Sequence, residues 1–166
     1  MRLVAFLRAV NVGGRVVKMD RLRGLFEGAG FTGVETFIAS GNVIFETRSK
    51  PAASLERSIE TRLHDSLGFE VSTFVRTCAE LQGVAGHEPF TAAALKRSVA
   101  FNVAFLKEKP DAKAVRAIEA LRTATDDFFI RGRALYWLSR TRQGESKLSN
   151  AVFEKTLGQP STLRGI

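Results

Sequence analysis

Two stretches of this chain carry residue types that could do chemistry: Leu7-Arg8-Ala9-Val10-Asn11-Val12-Gly13-Gly14, followed closely by Arg15 and Lys18, and Ala39-Ser40-Gly41-Asn42-Val43-Ile44-Phe45. A glycine-rich loop that enters a helix leaves backbone N–H groups pointing outward, and the helix N-terminus adds partial positive charge. Arg8, Arg15 and Lys18 would add full charges, so the chemistry these residues suit is the binding of an anion. Neither G-x-x-x-x-G-K-[ST] nor G-x-G-x-x-G is present, and no particular phosphate-binding mode follows. The same residues also serve plain chain reversal, with Gly13-Gly14 at positive φ and Ser40-Gly41-Asn42 as a hairpin turn. A second basic group comprises Lys107, Lys109, Arg131 and Arg133, which could clamp a phosphate backbone or stand as solvated charges. Its loop, Lys107-Glu108-Lys109-Pro110, makes the corresponding connection without glycine.

The elements that must position these residues follow from periodicity. Val4–Ala9 reads as a strand. Leu22, Leu25, Phe26 and Ala29 recur at helical spacing, which predicts a helix over Lys18–Ala29 that Gly30 stops. Val34–Ile38 and Asn42–Glu46 are predicted strands about a tight turn. Pro51 opens a second helix, whose Leu55, Ile59, Leu63 and Leu67 form one apolar stripe that Gly68-Phe69 closes. Val71–Val75 is a further strand, completing β-α-β-β-α-β. The order then begins again: strand Val99–Leu106, a helix from Pro110-Asp111 carrying Val115, Ile118 and Leu121, a hairpin of Phe128–Ile130 and Ala134–Leu138, and helix Lys147–Leu157. Ser161–Arg164 leaves room for a stub of a last strand. Between the halves, Thr77–Leu95 reads as a helix, a Gly86-His87-Glu88-Pro89 turn and a second short helix.

The expected fold is therefore α+β: a tandem pair of ferredoxin-like (βαββαβ) modules with antiparallel sheets, the second truncated at its last strand. The expected division is residues 1–76 and 98–166 as modules, with 77–97 as a helical linker. In such a module the β1–α1 loop and the β2–β3 turn lie at one end, and the first and third strands are neighbours. Arg8, Asn11, Gly13, Gly14, Arg15 and Lys18 should then converge with Ser40, Gly41 and Asn42. The same topology groups Lys107 and Lys109 with Arg131 and Arg133, and sends Arg140, Arg142, Ser146 and Lys147 to the opposite end.

Composition sets the bounds. With 166 residues, 45% of them hydrophobic and 13 Phe, a substantial core is expected. No apolar run approaches the ~20 residues a membrane helix needs. The N-terminus enters a strand-like run without a cleavage-site pattern. A single cysteine, Cys78, excludes an internal disulfide and a Cys-rich metal site, and points to a reducing, cytoplasmic setting. Only two histidines, His64 and His87, are present and neither sits in a ligand cluster, so no metal is expected. No cofactor motif and no nucleophile elbow accompany Ser40, Thr141 or Ser146. The net charge of +8 favours polyanions, and it is uneven. Residues 1–83 hold 11 Lys+Arg against 9 Asp+Glu, and residues 84–166 hold 14 against 8. Phe6, Phe101, Phe105 and Trp137 fall on candidate inner strands, as in RNA-recognition modules, but the third-strand signature of those modules is missing. Asp126-Asp127 reads as a solvated strand edge or a helix–strand junction.

Leu7, Arg8, Asn11, Val12, Gly13 and Gly14, then Lys18-Met19 with Leu22, Gly30-Phe31, Ser40-Gly41-Asn42-Val43 with Phe45, Ser146-Lys147, Glu154-Lys155 and Leu157-Gly158 together resemble the motifs of a family of uncharacterised bacterial proteins, domain of unknown function 1697. The resemblance spans nearly the whole chain. It implies a tandem of ferredoxin-like modules and no accepted activity. Thr162-x-Arg164 fits a late element of the family, after which many members continue with Asn-Trp and a final helix, whereas here Gly165-Ile166 follows. The sequence thus points first to a non-catalytic binder of an anionic ligand, either nucleic acid or nucleotide. The alternatives are an enzyme acting on a phosphorylated or carboxylated small molecule, and a homodimeric interaction scaffold pairing through an unfinished sheet edge. No membrane partner is expected.

Overall fold

Burial alternates along the first strand and shows which face of its sheet is covered. In β1 (Arg2–Leu7), Leu3, Ala5 and Leu7 are buried while Arg2 is exposed and Val4 and Phe6 are half-buried. The computed structural model describes residues 1–8, 10–37, 41–48, 50–142 and 144–166. These form two compact units, Met1–Gly83 and Val84–Ile166. The fold is mixed α+β, with two four-stranded antiparallel sheets and six helices among the described residues.

In the first unit, β2 (Thr32–Phe37), β3 (Asn42–Glu46) and β4 (Thr73–Thr77) join β1 in the order β2-β3-β1-β4. Helices α1 (Met19–Gly28) and α2 (Ala52–Leu67) supply Leu22, Phe26, Leu55, Ile59 and Leu63 to a core shared with Leu3, Ala5, Leu7, Val43 and Phe45. Spacings of three and four residues put each set on one helix face. Pro51 stands at the N-cap of α2, where its missing N–H costs nothing, and Gly68 ends the helix in the left-handed region at φ 80°.

β4 is an edge strand, and its outward amides are occupied. The N–H groups of Thr73, Val75 and Thr77 donate to Glu60, Glu56 and Glu80 at 2.7, 2.8 and 2.7 Å. Glu56 and Glu60 are one helical turn apart on α2, so a single helix face seals two steps of the edge. The chain continues into α3 (Cys78–Ala85).

In the second unit, α4 (Ala92–Arg97) precedes β5 (Ala100–Leu106), α5 (Ala112–Glu119), β6 (Asp126–Arg131), β7 (Ala134–Ser139), α6 (Asn150–Leu157) and β8 (Ser161–Gly165). The sheet order is β6-β7-β5-β8. Ala104, Leu106, Leu135 and Trp137 pack with Ile118, Leu148 and Phe153, and the Trp137 and Phe153 rings meet edge-on at 5.1 Å. The face opposite α5 and α6 carries Phe101 and Tyr136. The end of α3 and the turn before α4 lie over it, with Phe90 edge-on to Phe101 at 5.7 Å and the Tyr136 hydroxyl donating to the Val84 carbonyl. The last strand is not a stub. β8 has five residues, as β4 does, and pairs with β5 from Leu106↔Ser161 to Asn102↔Gly165. Its first amide, that of Ser161, donates to Glu154 on α6 at 2.8 Å, the counterpart of Thr73 with Glu60.

Candidate functional site

β1 ends at Leu7, and three chain segments meet there. The Leu7 N–H donates to the Gly41 carbonyl at 2.8 Å, and the Arg8 N–H donates to the Ser72 carbonyl at 2.9 Å. Phe6 lies opposite Asn42 on one side and Phe74 on the other. The β1–α1 loop, Gly41 just ahead of β3 and the α2–β4 connection therefore share one end of the first unit. Gly41 must be glycine there: its φ is 82°, and an added Cβ would stand 3.0 Å from Val10 Cγ2 and 3.1 Å from Leu7 Cβ.

The β1–α1 loop holds itself open. Asn11 Oδ1 accepts the Val17 N–H at 2.7 Å, closing residues 11–17 into a ring, and the Arg15 N–H turns back to the Val12 carbonyl at 3.2 Å. Gly13 and Gly14 sit at φ 62° and 81° with nothing within 4 Å of an added Cβ. Their amides have no partner among the described residues. Lys18 is exposed at the N-cap of α1 and forms no side-chain cap bond.

Beside this loop lies a solvent-open hollow of about 560 Å³, lined by Arg8, Arg15, His64, Phe69, Glu70 and Ser72. The Arg15 guanidinium carbon stands 4.4 Å from the centroid of the Phe69 ring, a cation–π contact. Arg8 and Arg15 are thus brought together in the hollow. Asn11, Gly13, Gly14, Gly41 and Asn42 occupy the same end of the unit without lining it, and Lys18 stands at the helix start. Asn11 serves the loop's own closure, and Asn42 is 8% exposed within β3. Ser40 lies outside the described residues. Sequence reasoning missed His64, Phe69, Glu70 and Ser72. The signal was available, because a ferredoxin-like order that puts β4 beside β1 also puts the start of β4 at the end of β1.

The second basic end is built differently. The Leu106 N–H donates to the Arg133 carbonyl at 3.0 Å, so Lys107 and Arg133 share an end and are half-buried, while Lys109 and Arg131 are exposed. Asp111 caps α5 by accepting the Ala114 N–H at 2.8 Å. Gln159 exchanges two hydrogen bonds with the Glu108 backbone, at 2.9 and 3.1 Å. The helix start that a phosphate would use already faces a carboxylate. Arg131 Nη1 lies 2.9 Å from His87 Nδ1. A guanidinium only donates, so Nδ1 accepts and the ring hydrogen sits on Nε2. That Nε2 is buried without a partner among the described residues, against Phe129 and Tyr136. Burial raises the Tyr136 phenol above its ordinary value of 10.0, and the Arg131 charge opposes the rise.

Asp126 is not a solvated edge residue. It is 5% exposed and accepts from Trp137 Nε1 at 2.8 Å, Thr123 Oγ1 at 2.9 Å and Thr125 Oγ1 at 3.0 Å. Burial pushes its pKa up, but the donors Trp137, Thr123, Ser139 and Thr125 together outweigh burial and hold it below its ordinary value. Asp127, next in the chain, is exposed and pairs with Arg122 Nε at 2.6 Å. Trp137 and Phe105 are 1% and 4% exposed, so neither offers a ring on which a base could stack.

Two four-stranded antiparallel sheets with helices packed on them make this a mixed α+β protein of two compact units. The chain belongs to the family described as "Protein of unknown function (DUF1697)", which it matches over residues 1–136. Among solved structures it is similar to that titled "The structure of conserved bacterial protein SP0830 from Streptococcus pneumoniae", at 25% identity and a TM-score of 0.74, covering 99% of this chain and 92% of that one. No curated protein matches. Among the described residues, no helix is long and apolar enough to cross a membrane.

Proposed function

We propose that this protein binds an anionic ligand, nucleic acid or nucleotide, without catalysis, at the end of the first unit where β1 meets the β2–β3 turn and the α2–β4 connection. The observation that carries this reading is the convergence of Arg8, Arg15 and His64 on one hollow beside the free-standing Gly13 and Gly14 amides. The net charge of +8 would raise the local concentration of any anion. The two units are read as ferredoxin-like modules that arose by duplication. Three features support that: the matching strand order, the Glu60–Thr73 and Glu154–Ser161 edge bonds, and an arginine, Arg76 or Arg164, three residues later on each edge strand. The stretch between residues 77 and 97 is read as their connector, and a cytoplasmic setting goes with the single cysteine.

The alternatives draw less support. An enzyme at this end would need inward-facing Ser40, Asn11 and Lys18; Ser40 lies outside the described residues, the Asn11 oxygen accepts the Val17 amide, and Lys18 does not line the hollow. A scaffold dimerising through an unfilled edge beside β5 loses its premise, since β8 fills that edge. The test is titration with nucleotides and with single- and double-stranded oligonucleotides at several salt concentrations. Binding that weakens with salt, and weakens several-fold in Arg8→Ala, is expected. Absence of binding at low salt would overturn the reading.

A further inference from the structure

We infer that the hollow takes a mononucleotide whose base stacks on Arg15, with guanine preferred. This deepens the anion reading and rests on it. The Arg15 guanidinium carbon stands 4.4 Å from the Phe69 ring centroid, and Arg15 as a whole is exposed, so its guanidinium stays within reach of a ligand. Aromatic rings and guanidinium planes are the surfaces on which unstacked bases settle. An arginine in cation–π contact with a ring keeps less side-chain freedom to lose when a base settles on it. The same hollow supplies Arg8, His64 and Ser72 for a phosphate, so stacking plane and charge stand side by side. Its volume of about 560 Å³ suits a small ligand, for which pockets run from roughly 300 to 1,000 Å³.

Glu70 selects among bases. A carboxylate in a site for phosphate works against binding unless it meets a donor on the ligand. Ionised, it only accepts hydrogen bonds, and two adjacent donors satisfy its two oxygens. Guanine offers two on its Watson–Crick edge, the ring N–H and the exocyclic amine, whereas adenine offers the amine alone. Glu70 lies next to Phe69 in the chain and lines the same hollow. Inorganic phosphate alone would gain nothing from Arg15's plane and would be repelled by Glu70.

The experiment is calorimetric titration of the full chain with GMP, AMP, inorganic phosphate and a single-stranded oligonucleotide in one low-salt buffer. Far-ultraviolet circular dichroism serves as the folding control for variants of the exposed Arg15 and Glu70. GMP should bind roughly tenfold or more tightly than phosphate, the difference being the stack. Arg15→Lys, which keeps the charge and removes the plane, should bring GMP down to the level of phosphate while phosphate binding stays. Glu70→Gln should erase the preference for GMP over AMP. If phosphate binds and GMP binds no better, the base-stacking inference fails while the anion site stands. If the oligonucleotide binds and GMP does not, the ligand is a polymer and the inference is overturned. If nothing binds at low salt, both fall together. A Glu70→Gln protein with an unchanged GMP-to-AMP ratio would remove the guanine preference.

Discussion

Gly41 and Gly13 both sit at positive φ, and their neighbours make them unequal. A methyl group at Gly41 meets Val10 at 3.0 Å and Leu7 at 3.1 Å, on a backbone at φ 82°. Gly41→Ala therefore adds collision to strain, and should cost about 3 kcal/mol in urea unfolding. Gly13→Ala meets nothing within 4 Å and should cost only the strain of the left-handed region, about 1 kcal/mol. Asp126 carries a pH dependence. Its folded pKa lies below the ordinary 3.8, so the folded state binds fewer protons in acid than the unfolded chain does. The stability it contributes is fully present above about pH 4–5 and drains away as pH falls through the folded value. Asp126→Asn should flatten that acid limb and cost about 2 kcal/mol near neutrality, because an amide nitrogen facing hydroxyl and indole donors replaces an acceptor. Unfolding midpoints measured between pH 2 and 7 would test both statements.

At the scale of elements, the two edge strands are sealed by carboxylates from the helix behind them. Glu60→Ala leaves the Thr73 amide, now without its acceptor at 2.7 Å, on a residue that is fully buried. A loss of about 2 kcal/mol is expected. Glu60→Gln keeps an acceptor oxygen and should lose less than half of that. Amide exchange at Thr73 should quicken in the alanine variant only. Helix starts differ in the same physical way. Asp111 and Ser149 cap α5 and α6 with side-chain acceptors, at 2.8 and 3.4 Å, whereas α1 begins at Lys18 without one. Ser149→Ala should cost about 1 kcal/mol. Much of this was legible in the chain. The Leu55, Ile59, Leu63 stripe, Pro51 and Gly68 marked α2 within a residue of its observed bounds. The edge bonds were not legible, since Glu56 and Glu60 look like any solvated helix carboxylates until β4 is laid beside them.

For the molecule as a whole, charge and site are divided. The unit Val84–Ile166 carries 14 Lys+Arg against 8 Asp+Glu, while the hollow belongs to Met1–Gly83, with 11 against 9. A ligand held only in the hollow engages few phosphates, so log K should fall with log salt at a slope of about −1 to −2. A polymer spread over the more basic unit would give a slope several times steeper. Titrations at four or five salt concentrations separate the two.

The elements and their order were readable from the chain alone, because the spacing of side chains along a strand or helix is a local property. So was the placing of Arg8 and the glycine loop where β1 ends. That Arg8 meets Ser72, that Arg15 lies against Phe69, and that Asp126 is buried and bonded to Trp137 emerged from the folded arrangement. Each of these joins residues that the chain keeps apart. Whether a carboxylate is solvated or sealed, or an arginine stacked or loose, depends on which strand lies beside which, and local periodicity does not encode that choice.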